Sequence, residues 1–442
     1  MDLAAAEKFL LSLQPGKIDL DLARLQRVLA GLSLLPPPFP CVLVGGTNGK
    51  GSTIVFAEAL LRPHRRIGAF VKPHVFRITE RVRLDGKPAS DAAFAAATAQ
   101  LQEFLAQSGE SVTFFEATLI VALLAMKTAG VELALIEVGL GGRFDAANAL
   151  PRVLTAITSI DYDHEKYLGP YLSGIAVEKA GIMAEDVPVI LSRGLRTENP
   201  DCRGILLKLA ALKHAPVVEQ SVLLERISGS AFPPRPEFAL EAELEGIELP
   251  PRLFINQLGL YQRHNFVTAL RLSAELKKRG YLPRRFYIPS SLTINYPGRF
   301  EVHRVGQGHI VLDAAHNPEG MRALAETLRE YFLDVRPTLA FGCQEGKDIV
   351  RLLTPLKGLI SQVVAIELPI LHPMPLADVK AGVQQAGFRL RLPDAPFADQ
   401  MSALLEEVEG GSCVLVAGSI YYLGTVAEAL GIGVAPQPEL NQ

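Results

Sequence analysis

The chain has 442 residues, with 44 Lys+Arg against 47 Asp+Glu and a formal net charge of -3, a balance that excludes a global basic field for nucleic acid or anionic lipid. Hydrophobic residues make up 49% and charged residues 21%, which excludes wholesale disorder and at this length predicts roughly two or three domains. The four cysteines, Cys41, Cys202, Cys343 and Cys413, form no CxxC pair, which argues against a disulfide framework or zinc ribbon and for a reducing compartment. The N-terminal MDLAAAEKFLLSLQPGK lacks the basic start and apolar run of a signal peptide. No apolar run approaches the ~20 residues needed to span a bilayer. The expectation is a cytoplasmic protein that takes neither membrane nor nucleic acid as a partner.

In chain order, the apolar runs 41–45, 133–138, 153–160 and 187–191 read as buried strands, with helical stretches at 51–61, 91–107 and 114–128. A helix is expected at 260–279, then strands at 309–313, 338–342, 362–368 and 412–417 with helices at 319–332 and 396–408. Continuous Val/Ile/Leu runs alternating with helices predict parallel sheets covered on both faces, in two successive α/β units. Residues 219–252 differ, with short alternating stretches and several prolines, and predict a small antiparallel insertion in the first unit. The boundary is expected within IPSSLTINYPGR at 288–299, where turn formers gather. It divides the chain into 1–297 and 298–442. The tail VAPQPELNQ is expected to fray.

The most informative segment is VLVGGTNGKGST, from Val42 to Thr53. An apolar strand runs into a glycine-rich turn and then a helix, so the backbone is able to wrap phosphates and the helix N-terminus offers free N–H groups. Lys50 adds a point charge for the β- and γ-phosphates, and the Ser52 hydroxyl can serve there or at a magnesium ion. The strict GxxxxGK[ST] pattern is not met, because Val44 stands where its first glycine belongs and Gly51 separates Lys50 from Ser52. Thr47, Asn48, Gly49, Lys50, Gly51 and Ser52 are the expected phosphate contacts.

Beyond the loop, Glu137 ends an apolar strand, where ligands bind in open α/β sheets; the bland reading is an ordinary strand-end charge. Asp163 and His164 close the next predicted strand, and a neutral imidazole beside Glu137 makes chemical sense for a cation site. Lys179 reads either as a surface lysine paired with Glu178 or Glu185 or as a functional amine. Asn265 reads equally well as a helix N-cap or a ligand contact. Arg299 is suited to charge developing on a transferred phosphoryl group. Asp313 and His316 end the first strand of the second unit, and Ser419 and Tyr421 open its last helix.

These segments form an ordered set. KIDLDLARL at 17–25, GTNGKGS at 46–52, PHVFRITERVRLDGKP at 73–88, TFFEATLIVAL at 113–123 and EVGLGGRFDAAN at 137–148 come first. ITSIDYDHEKYLG at 157–169, IAVEKAGI at 175–182, NYPGRFE at 295–301, DAAHNPEG at 313–320 and GSIYYLG at 418–424 follow. Together they resemble the folylpolyglutamate synthase and dihydrofolate synthase family, within the Mur ligase superfamily of ATP-dependent amide ligases.

The resemblance implies a P-loop-containing parallel-sheet ATPase-type N-terminal domain and a smaller Rossmann-like α/β C-terminal domain. It implies ATP and magnesium as cofactors, L-glutamate and a pterin or folate acid as substrates, and a monomer. It makes Glu137 and Ser52 magnesium ligands, His164 a ligand of a second metal, and Lys179 a carbamylated partner in that site. It gives catalytic roles to Lys50, His164, Lys179 and Arg299, and nucleotide contacts to Asn265, Arg299, Asp313 and His316. Lys72, Phe115, Glu116, Arg143, Asp145 and Ser419 fall on the substrate side. The chain departs from the family pattern at Lys72, where a metal-ligating serine is usual and a protonated amine has no lone pair to offer. Smaller departures are Tyr296 for tryptophan and Ala147 for threonine. The alternatives are a Mur-type ligase acting on a different acid and a nucleotide-binding homologue without ligase turnover.

Overall fold

The computed structural model describes residues 1–13, 21–192, 200–219, 222–226, 237–242, 244–367 and 373–433. The start of KIDLDLARL and the C-terminal tail therefore lie outside the described residues. The described chain forms two compact units, the first running to Asn295 and the second from Tyr296 onward, with Gln257–Leu260 belonging to the second.

The first unit is built on an eight-stranded sheet. Its strands are β1 (Cys41–Gly45), β2 (Ile67–Phe70), β3 (Val82–Leu84), β4 (Lys87–Pro88), β5 (Leu133–Glu137), β6 (Leu154–Ile157), β7 (Val189–Leu191) and β8 (Val217–Val218). They lie in the order β4-β3-β2-β5-β1-β6-β7-β8. All neighbours from β2 to β8 run parallel, and the hairpin of β3 and β4 adds an antiparallel edge. Every residue of β1, β2, β5, β6 and β7 is buried, as the uninterrupted apolar runs require of strands covered on both faces. The strand order reverses at β1, since β2 and β5 lie on one side of it and β6 on the other. Such a switch point opens a crevice at the carboxyl ends of the strands.

Two helices carry the loop-bearing end of β1. The helix Lys50–Leu61 is buried from Gly51 to Leu61, because its residues are apolar nearly all round. The helix Gln262–Lys278 packs against it, with the rings of Phe56 and Phe266 edge to face at 5.7 Å. Glu58 pairs with Arg83 of β3 at 2.7 Å, the side chains being 1% and 4% exposed. Glu58 also takes the Gly86 N–H at 2.9 Å. The helix Phe114–Thr128 has the bounds its pattern predicts and begins with a capping box between Thr113 and Glu116.

The strand expected at 153–160 ends at Ile157. Residues Thr158–Asp161 leave the sheet because their polar groups are used by the glycine loop. The run 187–191 is reduced to Val189–Leu191, and 362–368 to Gln362–Ala365, with residue 368 outside the described residues. In the 219–252 region, Val222–Arg226, Glu237–Ala242 and Arg252–Ile255 pair antiparallel. The sheet does not stop there, since Ser291–Leu292 adds a parallel edge.

The second unit holds a five-stranded sheet in the order Arg299–Val305, Gly308–Asp313, Cys413–Ala417, Thr338–Phe341, Gln362–Ala365. Its inner pairs are parallel. Arg299–Val305 is an antiparallel edge strand that the apolar pattern misses, because RFEVHRV is only partly buried along its length. All four cysteines are free and buried. Burial pushes the thiols of Cys41, Cys343 and Cys413 up to about 12. Among the described residues, no helix is long and apolar enough to cross a membrane.

Candidate active site

Sheet register brings the first pair of functional groups together. Val44 of β1 is level with Glu137 of β5, and Gly45 is level with Ile157 of β6. The turn leaving β1 therefore starts beside the Glu137 carboxylate. Gly46 has φ 138°, and a Cβ there would lie 2.0 Å from the Thr158 hydroxyl. The turn is pinned to the segment after β6. Thr47 N–H donates to the Ser159 carbonyl at 2.8 Å, Asn48 N–H to the Ser159 hydroxyl at 2.9 Å, and the Thr47 hydroxyl to the Asp161 carbonyl at 3.1 Å. The loop's conformation is thus set by the fold before any ligand binds.

Gly49 caps the following helix in the left-handed region, φ 83°, and faces Asn265. A Cβ on Gly49 would sit 2.3 Å from the Asn265 side-chain oxygen. Asn265 is 7% exposed and donates to Gln262 at 2.9 Å. The helix N-cap is Tyr261, so the capping alternative for Asn265 falls away: its side chain supports the loop from within the helix. Lys50 curls back, its Nζ donating to the Thr47 carbonyl at 2.8 Å and lying 4.0 Å from Glu137. Ser52 is buried in the first turn of this helix.

Lys179 is not a surface lysine. It is 4% exposed, and its Nζ donates to the Gly46 carbonyl at 2.9 Å. His164 lies in the loop beyond β6 rather than at a strand end. It has φ 51°, a side chain 54% exposed, and its Nε2 3.9 Å from Asp163. Among the described residues, no three His, Cys, Asp or Glu side chains are grouped to hold a metal. Magnesium bound to phosphates keeps phosphate and water oxygens as most of its ligands and needs only one or two from the protein. Ser52, on the helix that follows the loop, and Glu137, at the end of the strand beside β1, offer oxygens of the kind that share needs.

Among the residues expected to meet the acid substrate, Lys72 donates its backbone N–H to Glu137 at 3.0 Å. Asp145 organises the loop after β5, accepting from Gly139 N at 2.9 Å and Ala147 N at 3.0 Å. Its carboxylate also lies 3.7 Å from Lys72 Nζ. Arg143 is exposed, stacked over Phe144 at 5.0 Å. Phe115 is 41% exposed. Glu116 is held by the fold: Arg24 donates to both its oxygens at 2.8 Å, and Thr113 N–H donates at 2.7 Å. A histidine that the sequence reading did not single out stands close by in sequence. Arg81 Nε donates to His74 Nδ1 at 2.9 Å, which puts the ring proton on Nε2. Burial, with Arg81 adding to it, holds His74 down at about 3.

Within the second unit, the Arg299 guanidinium lies over Tyr296 at 5.0 Å and donates to the Gly298 carbonyl. Asp313 is buried and accepts from Phe300 N at 3.0 Å and Ala315 N at 2.8 Å. His316 Nδ1 lies 2.8 Å from the Ala314 carbonyl, a contact that requires the proton on Nδ1. Ser419 caps the short turn Ile420–Tyr422 and is 2% exposed, whereas Tyr421 is 51% exposed.

A rigid glycine loop at the switch point, with a buried helix behind it, ammonium groups around it and a carboxylate across from it, defines a nucleotide-phosphate-binding α/β protein. Residues 298–420 match the family model described as Mur ligase, glutamate ligase domain. The Escherichia coli (strain K12) dihydrofolate synthase/folylpolyglutamate synthase is 30% identical over 365 residues, 81% of this chain and 80% of that relative. The chain belongs to the dihydrofolate synthase/folylpolyglutamate synthase family. Among solved structures, E. coli FolC in complex with DHPP and ADP superposes with a TM-score of 0.77 at 27% identity, covering 98% of both chains. The Yersinia pestis bifunctional folylpolyglutamate synthase/dihydrofolate synthase complexed with AMPPNP and Mn ion gives 0.77 at 26%, again over 98% of both.

Proposed function

We propose that this protein joins L-glutamate to the carboxylate of a pterin-bearing acid at the expense of ATP, as a dihydrofolate synthase, a folylpolyglutamate synthase or both. The observation that carries the reading is the glycine loop with Lys50 turned back over it toward Glu137, in a chain related to these enzymes along most of its length. A carboxylate is a poor electrophile, so the acid is activated first. Its oxygen takes the γ-phosphoryl group, giving an acyl phosphate and ADP. The glutamate amine then attacks the carbonyl carbon, and phosphate leaves from the tetrahedral intermediate.

The N–H groups that open the helix Lys50–Leu61 and the Lys50 ammonium bind and orient the phosphates. Magnesium, when bound, neutralises phosphate charge, with Ser52 and Glu137 as the residues that would hold it. Lys179 fixes the loop through the Gly46 carbonyl. Carbamylation of Lys179 is compatible with this bond, because a carbamate keeps one N–H. His164 is exposed enough to meet an incoming ligand. Arg143 and Phe115 are the groups free to meet the acid, whereas Asp145, Glu116, Asp313 and Ser419 act as positioning residues. The four buried free cysteines support a reducing, cytoplasmic setting, and we read the protein as a monomer working on small molecules.

The test is ADP release with magnesium and L-glutamate, comparing dihydropteroate, tetrahydrofolate and no acid, with products weighed by mass spectrometry. Addition of one glutamate to dihydropteroate establishes dihydrofolate synthase activity, and turnover with the reduced folate alone narrows the protein to chain extension. No ADP with either acid, while ATP still binds, overturns the reading.

A further inference from the structure

The carboxylate at the end of β5 comes with a cation already attached to its surroundings. Lys72 follows β2, and its backbone N–H holds one oxygen of Glu137. Its side chain turns inward, 12% exposed, with Nζ 3.7 Å from Asp145 and 5.2 Å from the centre of the Phe70 ring. The ammonium is wedged against Gly139, where an added Cβ would lie 2.8 Å from Nζ. Ring, glycine and carboxylate together fix it beside the strand ends. On the other side of Glu137 stands Lys50.

A triphosphate entering this loop meets the negative charge of Glu137, and a divalent ion between them is the ordinary remedy. Here a fixed ammonium occupies part of that role. Its charge first offsets Asp145, so the strand-end cluster carries one uncompensated carboxylate fewer, in a place mostly shielded from solvent where Coulomb interactions are stronger than in water. Being a donor without a lone pair, it cannot ligate a metal, and its charge disfavours a divalent ion lodged in the same place. We propose that Lys72 is a built-in cation which substitutes for part of the divalent-metal charge beside Glu137, so that this protein binds nucleoside triphosphate with a weakened dependence on magnesium. The inference rests on the ATP reading above and adds to it how the site's charge is supplied.

The experiment is calorimetric titration of the full chain with AMPPNP, first in EDTA and then in excess magnesium, for the wild type and for Lys72→Met, Lys72→Gln and Lys72→Arg. Circular dichroism checks that each variant is folded. The wild type and Lys72→Arg are expected to lose at most about threefold in affinity when magnesium is removed, and the neutral variants at least about tenfold. In parallel, manganese bound in the presence of AMPPNP, counted by electron paramagnetic resonance, is expected to rise from wild type to Lys72→Met. Equal magnesium dependence in wild type and both neutral variants, with unchanged manganese binding, overturns the inference while leaving the ATP reading intact. Failure of the wild type to bind AMPPNP under either condition overturns both.

Discussion

Replacing Gly49 by alanine tests whether the phosphate loop is held in shape by the helix that packs on it. Two costs add in the single variant. The residue has φ 83°, and an L side chain in the left-handed region costs roughly 1–2 kcal/mol. The new Cβ would also stand 2.3 Å from the Asn265 oxygen, so that buried amide must move and give up its bond to Gln262, worth about 1–3 kcal/mol. Gly49→Ala is therefore expected to destabilise the fold by roughly 2–5 kcal/mol. Asn265→Ala alone removes the amide and costs about 1–3 kcal/mol. In the double variant the clash has no partner left, and only the backbone cost adds to the loss of Asn265. The double variant should then fall short of the sum of the singles by about 1–3 kcal/mol. Urea unfolding followed by far-ultraviolet circular dichroism is the assay, since the chain contains no tryptophan. Additivity of the two changes to within about 0.5 kcal/mol would refute the coupling between Gly49 and Asn265.

Two further outcomes follow from buried charge. Glu58→Ala leaves the Arg83 guanidinium buried without its carboxylate and should cost about 3–5 kcal/mol, most of it recovered when both residues become methionine; a urea midpoint that barely moves would sink this. His74 is neutral in the fold, held at about 3 against an ordinary 6.5, so below pH 6.5 the unfolded chain carries a proton that the folded chain does not. Its contribution is fully present above that pH and is lost as pH falls toward 3, by up to about 1.4 kcal/mol per pH unit. His74→Gln should lack this part of the slope between pH 6 and pH 4 (about one proton's worth), and identical slopes would show that the histidine titrates normally.

The alternation of buried strands and helices was legible in the sequence because it is written in local hydrophobic patterning, and so was the glycine loop between β1 and its helix. Glu137 was legible for the same reason: an acidic residue ending an apolar run marks the carboxyl edge of a parallel sheet. The motif order carried the family. Other features depended on how distant segments meet, and no local pattern encodes that. Lys179 stayed open between a surface lysine and a functional amine until the crossover between β6 and β7 laid it on the Gly46 carbonyl. Asn265 read equally well as a cap or a ligand contact until its helix packed along the loop with Tyr261 as its cap. The segment after β6 looked like strand because Thr158 and Ile160 suit one, yet its polar groups are used by Thr47 and Asn48. Asp145, Glu116 and Asp313 were expected beside substrate or nucleotide, and which backbone N–H groups their carboxylates accept is visible only in the folded chain. Composition and periodicity determine which faces are buried; strand register and crossover determine which polar groups find each other, and only the folded chain decides that.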